Sequence, residues 1–573
     1  MSRFSDWVEI TGTSGGERRI HVKRRGASLL RYGVTNRGTA FTNAEREALG
    51  LQGLLPPIVD SLEGQMVRVY RNYTKEPSDL HKYQFLRSLQ ERNEVLFFAL
   101  LEKHLEEMMP IVYTPTVGAA VQRWGEIYQQ TRGLSFSLEN IGMAPSIAAN
   151  HPWDDVRMIV ATDSSAILGI GDQGYGGLAI PIGKLALYTV GGGVSPFETL
   201  PISLDVGTDR RELRDDPFYL GTRRERLKGE EYLAFMDAFV RAIKTRFPRA
   251  ILQWEDLSKD AAFTVLDRYR KELPSFNDDI QGTGAVALAG VLSACKAKGE
   301  RLRDQTFVIL GAGAGGGGVA WTIWKGLVAD GLDEESARKR IFTLDSKGLV
   351  TLDRTNEEHK RRFAQPKEVT ASWKTKGPVA DLLETVTGSK ATVLLGLSGQ
   401  PGAFDRASVE AMAANTARPM IFPLSNPTSA CEATPADILA WTGGRAIVAT
   451  GSPFEPVMVD GKKVVIGQGN NAFIFPGLGL GAIVAEAREV TDGMVLAAAA
   501  ALARVTEERY LAAGLVYPPV GDLRSVSVEV AVDVVLEACR ENVAGARVHS
   551  REEARARVLG SMWAPSYLPI EAD

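Results

Sequence analysis

Short apolar segments alternate with longer helical segments between about residues 155 and 450 of the chain. The apolar segments include VRMIVATD, AILGIGD, TLPISLD, ILQWED, TFVIL and RIFTLD. Because parallel strands are joined by helical crossovers, this alternation predicts an α/β fold built on parallel sheets. Ligands in such folds bind at the carboxyl ends of the strands. The acidic residues at or near those ends are therefore the first candidates for a functional site: Asp163, Asp172, Asp205, Glu255 and Asp256.

The predicted elements divide the chain into four segments. Residues 1–130 are predicted to be mostly helical, with a loosely structured polar arm up to about residue 40 and a helix that begins after Thr42. Residues 131–280 together with 470–540 are predicted to form an α/β domain for substrate and metal. Residues 281–469 are predicted to form a Rossmann-type dinucleotide-binding domain, and residues 541–573 a C-terminal tail.

Composition and charge exclude several classes of function. The 573 residues include 66 Lys and Arg and 70 Asp and Glu, so no basic field exists to hold nucleic acid or an anionic membrane. We expect no membrane span, because no apolar stretch reaches about 18 residues. The absence of an apolar secretory segment at the start and three cysteines without zinc spacing favour a cytoplasmic protein. The six histidines sit singly, so a metal site would be mostly oxygen-liganded, which favours Mg²⁺ or Mn²⁺.

A glycine-rich turn, GAGAGG, follows the strand TFVIL and opens a helix. Gly311 would allow the tight turn, Gly313 would let the backbone approach a pyrophosphate, and Gly316 would let helix and strand pack closely. The helix N-terminus would face the negative charge of that pyrophosphate. The alternative is a glycine-rich turn without a ligand, but the flanking strand and helix favour dinucleotide binding.

The residues after the next strand bear on which dinucleotide is bound. Asp345 ends that strand and suits a ribose 2′-hydroxyl, which favours NAD. Ser346 and Lys347, helped by Arg361 or Arg362, could instead hold the 2′-phosphate of NADP. Solvated surface charges are the third interpretation, and the sequence leaves the choice open.

Two pairs of adjacent acids, Glu255-Asp256 and Asp278-Asp279, form the second candidate site. Four carboxylates brought together repel one another unless a divalent cation lies among them. Oxygen ligands with open positions for water and substrate are typical of Mg²⁺ or Mn²⁺. The alternative is a set of unrelated surface acids near strand ends.

Single residues with possible chemistry lie in three further motifs. Lys184 lies within the apolar helical run IPIGKLALY, where it either extends to solvent or works as a base. Tyr113 follows a helix and stands between prolines, where by itself it reads as a packing residue. Turn-like stretches hold Asn426 and the pair Asn470 and Asn471, which could bind a carboxylate or carboxamide or only close turns.

Taken together, these motifs make the sequence resemble the malic enzyme family, and its bacterial members in particular, over nearly its whole length. The matching runs are MMPIVYTPTVG, ILGIGDQGYGGLAIPIGKLALYT, LDVGTD, QWEDL, SFNDDIQGTG, LGAGAGGGG, PLSNPT, ATGSPFEPV and GQGNNAFIFPGLGLG. The resemblance implies oxidative decarboxylation of L-malate to pyruvate and CO₂ with NAD or NADP and Mg²⁺ or Mn²⁺.

The same resemblance assigns roles to residues. It implies metal ligands at Glu255, Asp256 and Asp279, a base at Lys184 with Asp278 adjusting its charge, and a proton donor to C3 at Tyr113. Asn426 and Asn470 would contact substrate or nicotinamide, and Asn471 is a further substrate candidate. These roles suit the chemistry, since oxidation at C2 needs a base, decarboxylation needs a Lewis acid on the C2 oxygen, and enolpyruvate needs a proton.

One departure from the family pattern concerns Ala166. Malic enzymes usually carry an arginine at this place as a clamp on a malate carboxylate, and its loss should cost about 1.5–3 kcal/mol of binding. Malolactic enzymes, which release lactate, also lack that arginine, so malolactic chemistry is the alternative function. Arg132 could supply the missing contact. A dinucleotide sensor without turnover is the third and least favoured hypothesis.

Two further expectations rest on the resemblance. Gln65, Arg68 and Arg92 match positions that bind an effector in some family members, although a solvated or subunit-contact patch is the more ordinary interpretation. The WAPSY tail resembles a segment that packs on a neighbouring subunit, which would cover its aromatics. We therefore expect a homodimer or a dimer of dimers, with dimer contacts in residues 1–130.

Overall fold

The computed structural model describes residues 2–4, 6–12, 18–167 and 169–572. The chain divides into two compact units, one formed by residues 1–255 with 552–573 and the other by residues 256–551. The first unit is therefore built from both ends of the chain, and the second from its middle.

In its described residues, the first unit combines strands with eleven helices from the N-terminal half of the chain and one C-terminal helix. Its strands are β1 Ser2–Phe4, β2 Val8–Thr11, β3 Arg19–Val22, β4 Leu134–Ser137, β5 Met158–Thr162, β6 Thr199–Asp205, β7 Ile251–Glu255 and β18 Ile570–Ala572. Its helices are α1 Asn43–Ala48, α2 Leu62–Tyr73, α3 Asp79–Arg92, α4 Glu94–Lys103, α5 Leu105–Val112, α6 Thr116–Gln122, α7 Trp124–Ile127, α8 Ala144–Ala149, α9 Ala179–Val190, α10 Arg211–Asp215, α11 Gly229–Arg246 and α23 Arg551–Ser561.

The first 40 residues differ from the predicted loose arm, because they contribute three strands to a small sheet. The strand order is β1-β2-β3-β18, and the C-terminal strand β18 pairs in parallel with β3, Ile570 opposite Ile20. Apolar side chains from both chain ends form its core, among them Val8, Ile20, Val22 and Ile570. Local sequence could not show this pairing, because the partner strands are separated by most of the chain.

The helical region that follows agrees with the sequence except where it is interrupted. Thr42 caps α1 in a capping box with Glu45, as the N-cap signal predicts. Three consecutive helices, α3, α4 and α5, follow from residue 79, with breaks at Asn93 and His104. The side chain of Asn93 accepts a hydrogen bond from Leu96 N at 3.0 Å, which caps α4 and ends the continuous helix.

Four parallel strands of the first unit pair in the order β4-β6-β5-β7. All residues of β5, β6 and β7 are buried, as expected for strands covered on both faces. The predicted strand in AILGIGD is not found among the described residues of that run, where an isolated bridge joins Ile167 to Gly171. Helix α9 is buried along its full length and presents Lys184 to the interior.

The second unit holds the remaining elements. Its strands are β8 Ser275–Asn277, β9 Phe307–Leu310, β10 Ile341–Asp345, β11 Gly348–Leu349, β12 Val393–Gly396, β13 Met420–Pro423, β14 Ile447–Thr450, β15 Val457–Val459, β16 Lys462–Val464 and β17 Gly467–Gln468. Its helices are α12 Lys259–Tyr269, α13 Thr283–Lys298, α14 Ala314–Ala329, α15 Glu334–Arg338, α16 Glu358–Arg361, α17 Leu382–Ser389, α18 Arg406–Asn415, α19 Pro435–Trp441, α20 Phe475–Val484, α21 Asp492–Arg509 and α22 Leu523–Arg540.

A seven-stranded sheet organises the second unit, with the order β11-β10-β9-β12-β13-β14-β17. Its strands are parallel except β11, which pairs with β10 in the antiparallel sense. The chain moves outward from β9 to β10 on one side and continues with β12 on the other. The order therefore reverses between β9 and β12, and ligands bind at such a switch point in open α/β sheets.

Residues 470–540 belong to the second unit, whereas the sequence grouped them with residues 131–280. The reason is packing, since α21 lies against α13 and α22, and α20 lies against α22. Pattern reasoning identifies these helices but not the helices against which they pack.

One helical segment of the described residues, Asp278–Lys298, is long and apolar enough to cross a membrane by length and composition, with a mean hydropathy of 1.2. It is 78% buried inside the protein, and α13, which makes up most of it, packs against α14 and α21. Core helices of globular proteins pass the same test, and the burial of this one is that of a core helix.

Candidate active site

Lys184 is held inside the first unit by a carboxylate. The helix around it is buried on all sides, and the side chain reaches no solvent. Its Nζ lies 3.0 Å from Glu255 Oε1 at the end of β7 and 5.3 Å from the centroid of the Tyr113 ring. Tyr113 itself stands where α5 ends, as the sequence indicates. The structure thus brings together the predicted base and the predicted phenol donor.

A buried polar chain orients Glu255 from the side away from the lysine. The amide of Gln253 donates from Nε2 to Glu255 Oε2 at 2.7 Å, and the Tyr188 hydroxyl donates to Gln253 Oε1. Sequence reasoning missed both residues. The available signal was the two-residue spacing of Gln253 and Glu255, which places both side chains on one face of β7.

The other acids that the sequence predicts at strand ends of the first unit take part in structural hydrogen bonds and ion pairs. Asp163 accepts the Tyr232 hydroxyl at 2.9 Å, and Asp205 accepts the backbone N–H of Thr222 at 2.7 Å. Asp172 binds Arg226 through two hydrogen bonds. Burial opposes ionisation of Asp172, but Arg226 outweighs it, so the pKa of this carboxyl lies below its ordinary value.

The acidic turn lies in the second unit and begins directly after Glu255. Asp256 adopts a φ of 54°, a conformation that side-chain-bearing residues avoid outside special sites. Its backbone N–H donates to Asp279 Oδ2 at 2.8 Å, and carboxylate oxygens of Asp256 and Asp279 lie within 4.8 Å of one another. Oxygen donors so placed fit a hard divalent cation, and Glu255 directly precedes Asp256 in the sequence.

Asp278 and Asp279 stand on a short π-helical turn, Asp278–Gly282, which leads into α13. The side chain of Asn277 caps this turn through the backbone N–H of Ile280 at 3.0 Å. Asp278 is buried and accepts a hydrogen bond from Asn471 Nδ2 at 3.0 Å. Asn471, predicted as a substrate ligand, therefore orients an acid of the turn.

The three motif glycines stand at the switch point between β9 and β12. Gly311 has a φ of 120°, and a Cβ there would lie 2.3 Å from the carbonyl oxygen of Leu397. A Cβ at Gly316 would lie 1.7 Å from the carbonyl oxygen of Gly311, so only glycine lets the helix start so close to the strand. A Cβ at Gly313 would meet nothing within 4 Å, which leaves the space that an approaching pyrophosphate needs.

Asp345 ends β10, one strand away from the glycine turn. Its carboxylate binds Arg354 Nη2 at 2.6 Å and lies 3.5 Å from Lys360 Nζ. Burial raises the pKa of Asp345, but the hydrogen bonds from Arg354 and the Lys347 backbone, together with the charges of Arg354 and Lys360, outweigh burial and leave the pKa of the carboxyl below its ordinary value. Sequence reasoning missed Arg354 and Lys360. They lie nine and fifteen residues after Asp345, too far along the chain for a local pattern to show the contact.

The other predicted cofactor residues have different partners. The backbone N–H of Lys347 donates to Asp345 Oδ1 at 2.9 Å and closes the turn that also contains Ser346. Arg361 donates to the backbone carbonyls of Leu352 and Thr355, and Arg362 binds Asp267 at 3.0 Å. These two arginines therefore do not stand with Asp345.

Two asparagines lie in turns at the carboxyl side of the same sheet. Asn426 follows β13 and accepts the Ser452 hydroxyl. Asn470 is buried and caps a short helical turn, since its side chain accepts the backbone N–H of Ala472 at 2.9 Å. The contacts described here are those of turn-closing residues, one of the two interpretations open from the sequence.

Comparison with known proteins identifies the chain. Residues 90–270 match the malic enzyme N-terminal domain, and residues 280–539 match the malic enzyme NAD-binding domain. The chain belongs to the malic enzyme family. The NAD-dependent malic enzyme of Pseudomonas aeruginosa strain UCBPP-PA14 is 46% identical over 558 residues, 97% of this chain and 98% of that protein. That of Edwardsiella ictaluri is 44% identical over 96% of this chain and 97% of its own length.

Two solved malic enzymes share the fold. The enzyme of Entamoeba histolytica superposes with a TM-score of 0.58 at 22% identity and covers 90% of this chain and 91% of its own. The enzyme of Pyrococcus horikoshii gives a TM-score of 0.53 at 25% identity and covers 80% and 89%. The expected α/β fold with a Rossmann-type NAD-binding domain is thereby confirmed, and the malolactic alternative receives no support from these malic enzyme relatives.

The family position usually held by arginine is Ala166, on the loop after β5. Arg132, offered as a substitute, binds Glu94 at 2.6 Å and Glu91 at 3.4 Å. Burial lowers the pKa of Arg132, but these two carboxylates outweigh it and hold the guanidinium charged within the first unit. That arrangement argues against the proposed contact of Arg132 with a substrate carboxylate.

The predicted effector residues of this malic enzyme have separate environments. Gln65 is 3% exposed, and its amide donates to the Arg37 carbonyl at 2.7 Å and accepts the Tyr567 hydroxyl at 2.7 Å. Arg68 binds Asp60 on the surface. Arg92 lines a cavity of about 260 Å³ that neither Gln65 nor Arg68 borders.

The aromatic tail is covered by its own chain. Trp563 is 7% exposed and packs edge-on against Phe98 and Phe197. The Tyr567 hydroxyl also accepts a hydrogen bond from Asn93 Nδ2 at 2.8 Å. Trp563 is therefore buried within its own chain, and the contact of this tail with a neighbouring subunit stays a prediction.

Proposed function

We propose that this protein oxidises and decarboxylates L-malate to pyruvate and CO₂ with NAD⁺ as the acceptor. The observation that carries the proposal is the buried Lys184 amine, held 3.0 Å from Glu255 beneath the Tyr113 ring. A structural role alone gives little reason to bury an amine in an apolar helix, since burying a charge is costly. The naming of the 46% identical relative agrees with this activity.

The first proton transfer is assigned to Lys184. Removal of the C2 hydroxyl proton needs a base within hydrogen-bond reach, and a buried lysine that exchanges a proton suits this task. Glu255 orients the amine and stabilises its charged form, while Gln253 holds Glu255 in place. The proton can therefore be accepted at Nζ without reorganising the surroundings.

The final proton transfer is assigned to Tyr113. After loss of CO₂ the enolate of pyruvate, whose hydroxyl proton is held by Lys184, needs a proton at C3, and a phenol beside an ammonium group can donate it. The amine lies 5.3 Å from the centroid of the ring, so the positive charge stabilises the phenolate that remains. The same ammonium then returns the proton to the tyrosine.

A divalent cation, Mg²⁺ or Mn²⁺, is proposed to be held by Glu255, Asp256 and Asp279. When bound, it would act as a Lewis acid on the C2 oxygen. The strained backbone of Asp256 and its hydrogen bond to Asp279 preorganise two carboxylates for this purpose. Asp278, buried and bonded to Asn471, fixes the turn that carries Asp279.

NAD⁺ rather than NADP⁺ is the proposed acceptor. Gly311, Gly313 and Gly316 shape the pyrophosphate position, and the carboxylate of Asp345 stands where a ribose hydroxyl is recognised in this fold. A 2′-phosphate would be repelled by that carboxylate, whose charge is maintained by Arg354. The NAD-dependent relatives support the same preference.

Product analysis tests the reaction. With L-malate, NAD⁺ and Mn²⁺, pyruvate and NADH should form in equal amounts, and NADP⁺ should react more slowly. Lactate without net NADH would refute the oxidative reaction. Binding of NAD⁺ without any turnover of malate would instead identify a sensor.

The metal ligands are tested by Asp256→Asn, because asparagine also tolerates a positive φ and preserves the turn. We expect the affinity for Mn²⁺ to fall at least about tenfold, which is about 1.4 kcal/mol. The electron paramagnetic resonance signal of free Mn²⁺ measures this affinity. NAD⁺ binding should persist. Asp460→Asn, at an exposed acid that also has a positive φ of 47°, is the matched control. Unchanged Mn²⁺ affinity in Asp256→Asn would remove this residue from the site.

Self-association as a homodimer or homotetramer, and a cytoplasmic location, stay predictions from the sequence. Light scattering of the purified chain tests the first, and a mass of one chain would refute it. An effector role for Gln65, Arg68 and Arg92 also stays a prediction, and the burial of Gln65 argues against it.

A further inference from the structure

A cavity of about 500 Å³ lies in the second unit, apart from the glycine turn and Asp345, none of which lines it. Helices α12 and α14 contribute its aromatic wall, with Phe263 from the first and Trp321 and Trp324 from the second. Its volume is within the range of small-molecule sites, which are mostly aromatic and apolar with a few placed polar groups.

The cavity has an excess of positive charge. Four arginines line it against three carboxylates. Asp492 is already used, since it accepts Arg270 Nη2 at 3.0 Å and Trp321 Nε1 at 3.2 Å, and Asp267 is paired with Arg362. Within the described chain, neither Arg338 nor Arg361 has a carboxylate partner, and both are exposed at the cavity.

A buried amide lines the same cavity. Gln281 is 3% exposed, and its Oε1 accepts the backbone N–H of Asn277 at 2.9 Å. Its Nε2 group has no hydrogen-bond partner among the described residues. A buried amide donor left without an acceptor costs about 1–3 kcal/mol, so an acceptor atom supplied by a ligand would be favourable here.

The stacking surface is also prepared. The Arg362 guanidinium lies 5.9 Å from the Phe263 ring centroid and 5.6 Å from the Trp321 ring centroid. Aromatic faces and a planar guanidinium bind flat rings by stacking, and arginines bind phosphate through paired hydrogen bonds. The two kinds of group occur together in this one cavity.

We propose that this cavity binds a planar aromatic anion of the size of a purine nucleoside monophosphate, independently of the NAD⁺ site. The ring stacks on the aromatic and guanidinium wall, Arg338 and Arg361 bind the anionic group, and Gln281 donates to an acceptor atom of the ligand. The site requires no part of the decarboxylation chemistry.

Calorimetric titration of the full chain with guanosine 5′-monophosphate tests this site, with saturating NAD⁺ present to fill the dinucleotide site. We expect saturable binding of one molecule per chain with a dissociation constant below about 1 mM. Guanosine alone and inorganic phosphate alone should bind at least about tenfold more weakly, because each lacks half of the recognition. No saturable binding, loss of binding when NAD⁺ is added, or equal binding of either fragment would overturn the proposal.

The arginine pair is tested by the double variant Arg338→Gln with Arg361→Gln. Both side chains are exposed, so the fold should be kept, which thermal unfolding verifies. Nucleotide affinity should fall at least about tenfold. Arg418→Gln is the matched control, since this exposed arginine also binds only a backbone carbonyl, that of Ala297 at 2.9 Å. Equal affinities of the double variant and the control would refute the assignment.

Discussion

The substitution Gly313→Ala should separate nucleotide binding from stability. A Cβ at this position meets no protein atom within 4 Å, and the backbone has a φ of −85°, which alanine adopts readily. We therefore expect a loss of folding free energy of at most about 1 kcal/mol, mainly from a poorer helix N-cap. The new methyl group instead projects into the space that the pyrophosphate needs.

The cost to NAD⁺ binding follows from the same geometry. If the methyl group separates the pyrophosphate from one backbone N–H, a hydrogen bond to a charged group worth about 1.5–3 kcal/mol is lost. That corresponds to a dissociation constant raised roughly 10- to 150-fold. Calorimetric titration with NAD⁺ measures it, and a parallel thermal unfolding scan reports stability without ligand.

Gly316→Ala is the contrasting variant. Its Cβ would stand 1.7 Å from the Gly311 carbonyl oxygen, whereas real Cβ contacts are not shorter than about 3.0 Å. Backbone must move to make room, and overpacking of this kind costs about 1–3 kcal/mol or more, so this variant should lose stability as well as affinity. The reasoning fails if Gly313→Ala binds NAD⁺ normally, or if it unfolds as early as Gly316→Ala.

Three further predictions follow from single contacts. Asp345→Ser should raise kcat/KM for NADP⁺ relative to NAD⁺ by at least about tenfold, since it removes the charge that repels a 2′-phosphate; an unchanged ratio in initial-rate assays would contradict this. Burial lowers the pKa of His151 from 6.5 to about 4, so below pH 6.5 the unfolded chain takes a proton that the native chain refuses, and stability falls toward pH 4. Urea unfolding across this range should show a flatter decline for His151→Gln than for the exposed control His81→Gln, and equal slopes would count against the burial argument. Tyr567→Phe should destabilise the first unit by about 1–3 kcal/mol in urea unfolding, because two buried amides lose their shared hydroxyl; no loss would mean that they find other partners.

Much of the fold could be predicted from periodicity alone. The buried strands β5, β6 and β7 and the helices α9, α13 and α14 lie where apolar runs and helical spacing place them. What local pattern could not show is pairing between distant segments, such as β18 with β3, and the unit to which residues 470–540 belong. Local pattern also does not show the helix breaks at Asn93 and His104, because an amphipathic pattern continues through both positions.

Candidate site residues could be predicted from the sequence where a residue type in an unusual position indicates a chemical role. The structure places the amine of the apolar helix beside a carboxylate, brings acids of the two pairs together, and puts the glycines at the switch point of the sheet. Supporting residues such as Gln253 and Arg354 were missed, since a glutamine in a strand or an arginine in a loop carries no local signal of its contact. The contacts of Arg132 and Gln65 were not visible either, because their partners lie elsewhere in the chain.

Because the first unit is discontinuous in sequence, it cannot be completed until translation reaches the C-terminal strand. Its last strand, β18, leaves the ribosome only after every residue of the second unit has been made, a delay of roughly 15–60 s at usual translation speeds. During that interval the edge of β3 that later pairs with β18 is unpaired. In a nascent chain the second unit should therefore be able to fold before the first unit is complete. A truncation that removes β18 should destabilise the first unit, which is synthesised first, and leave the second unit folded.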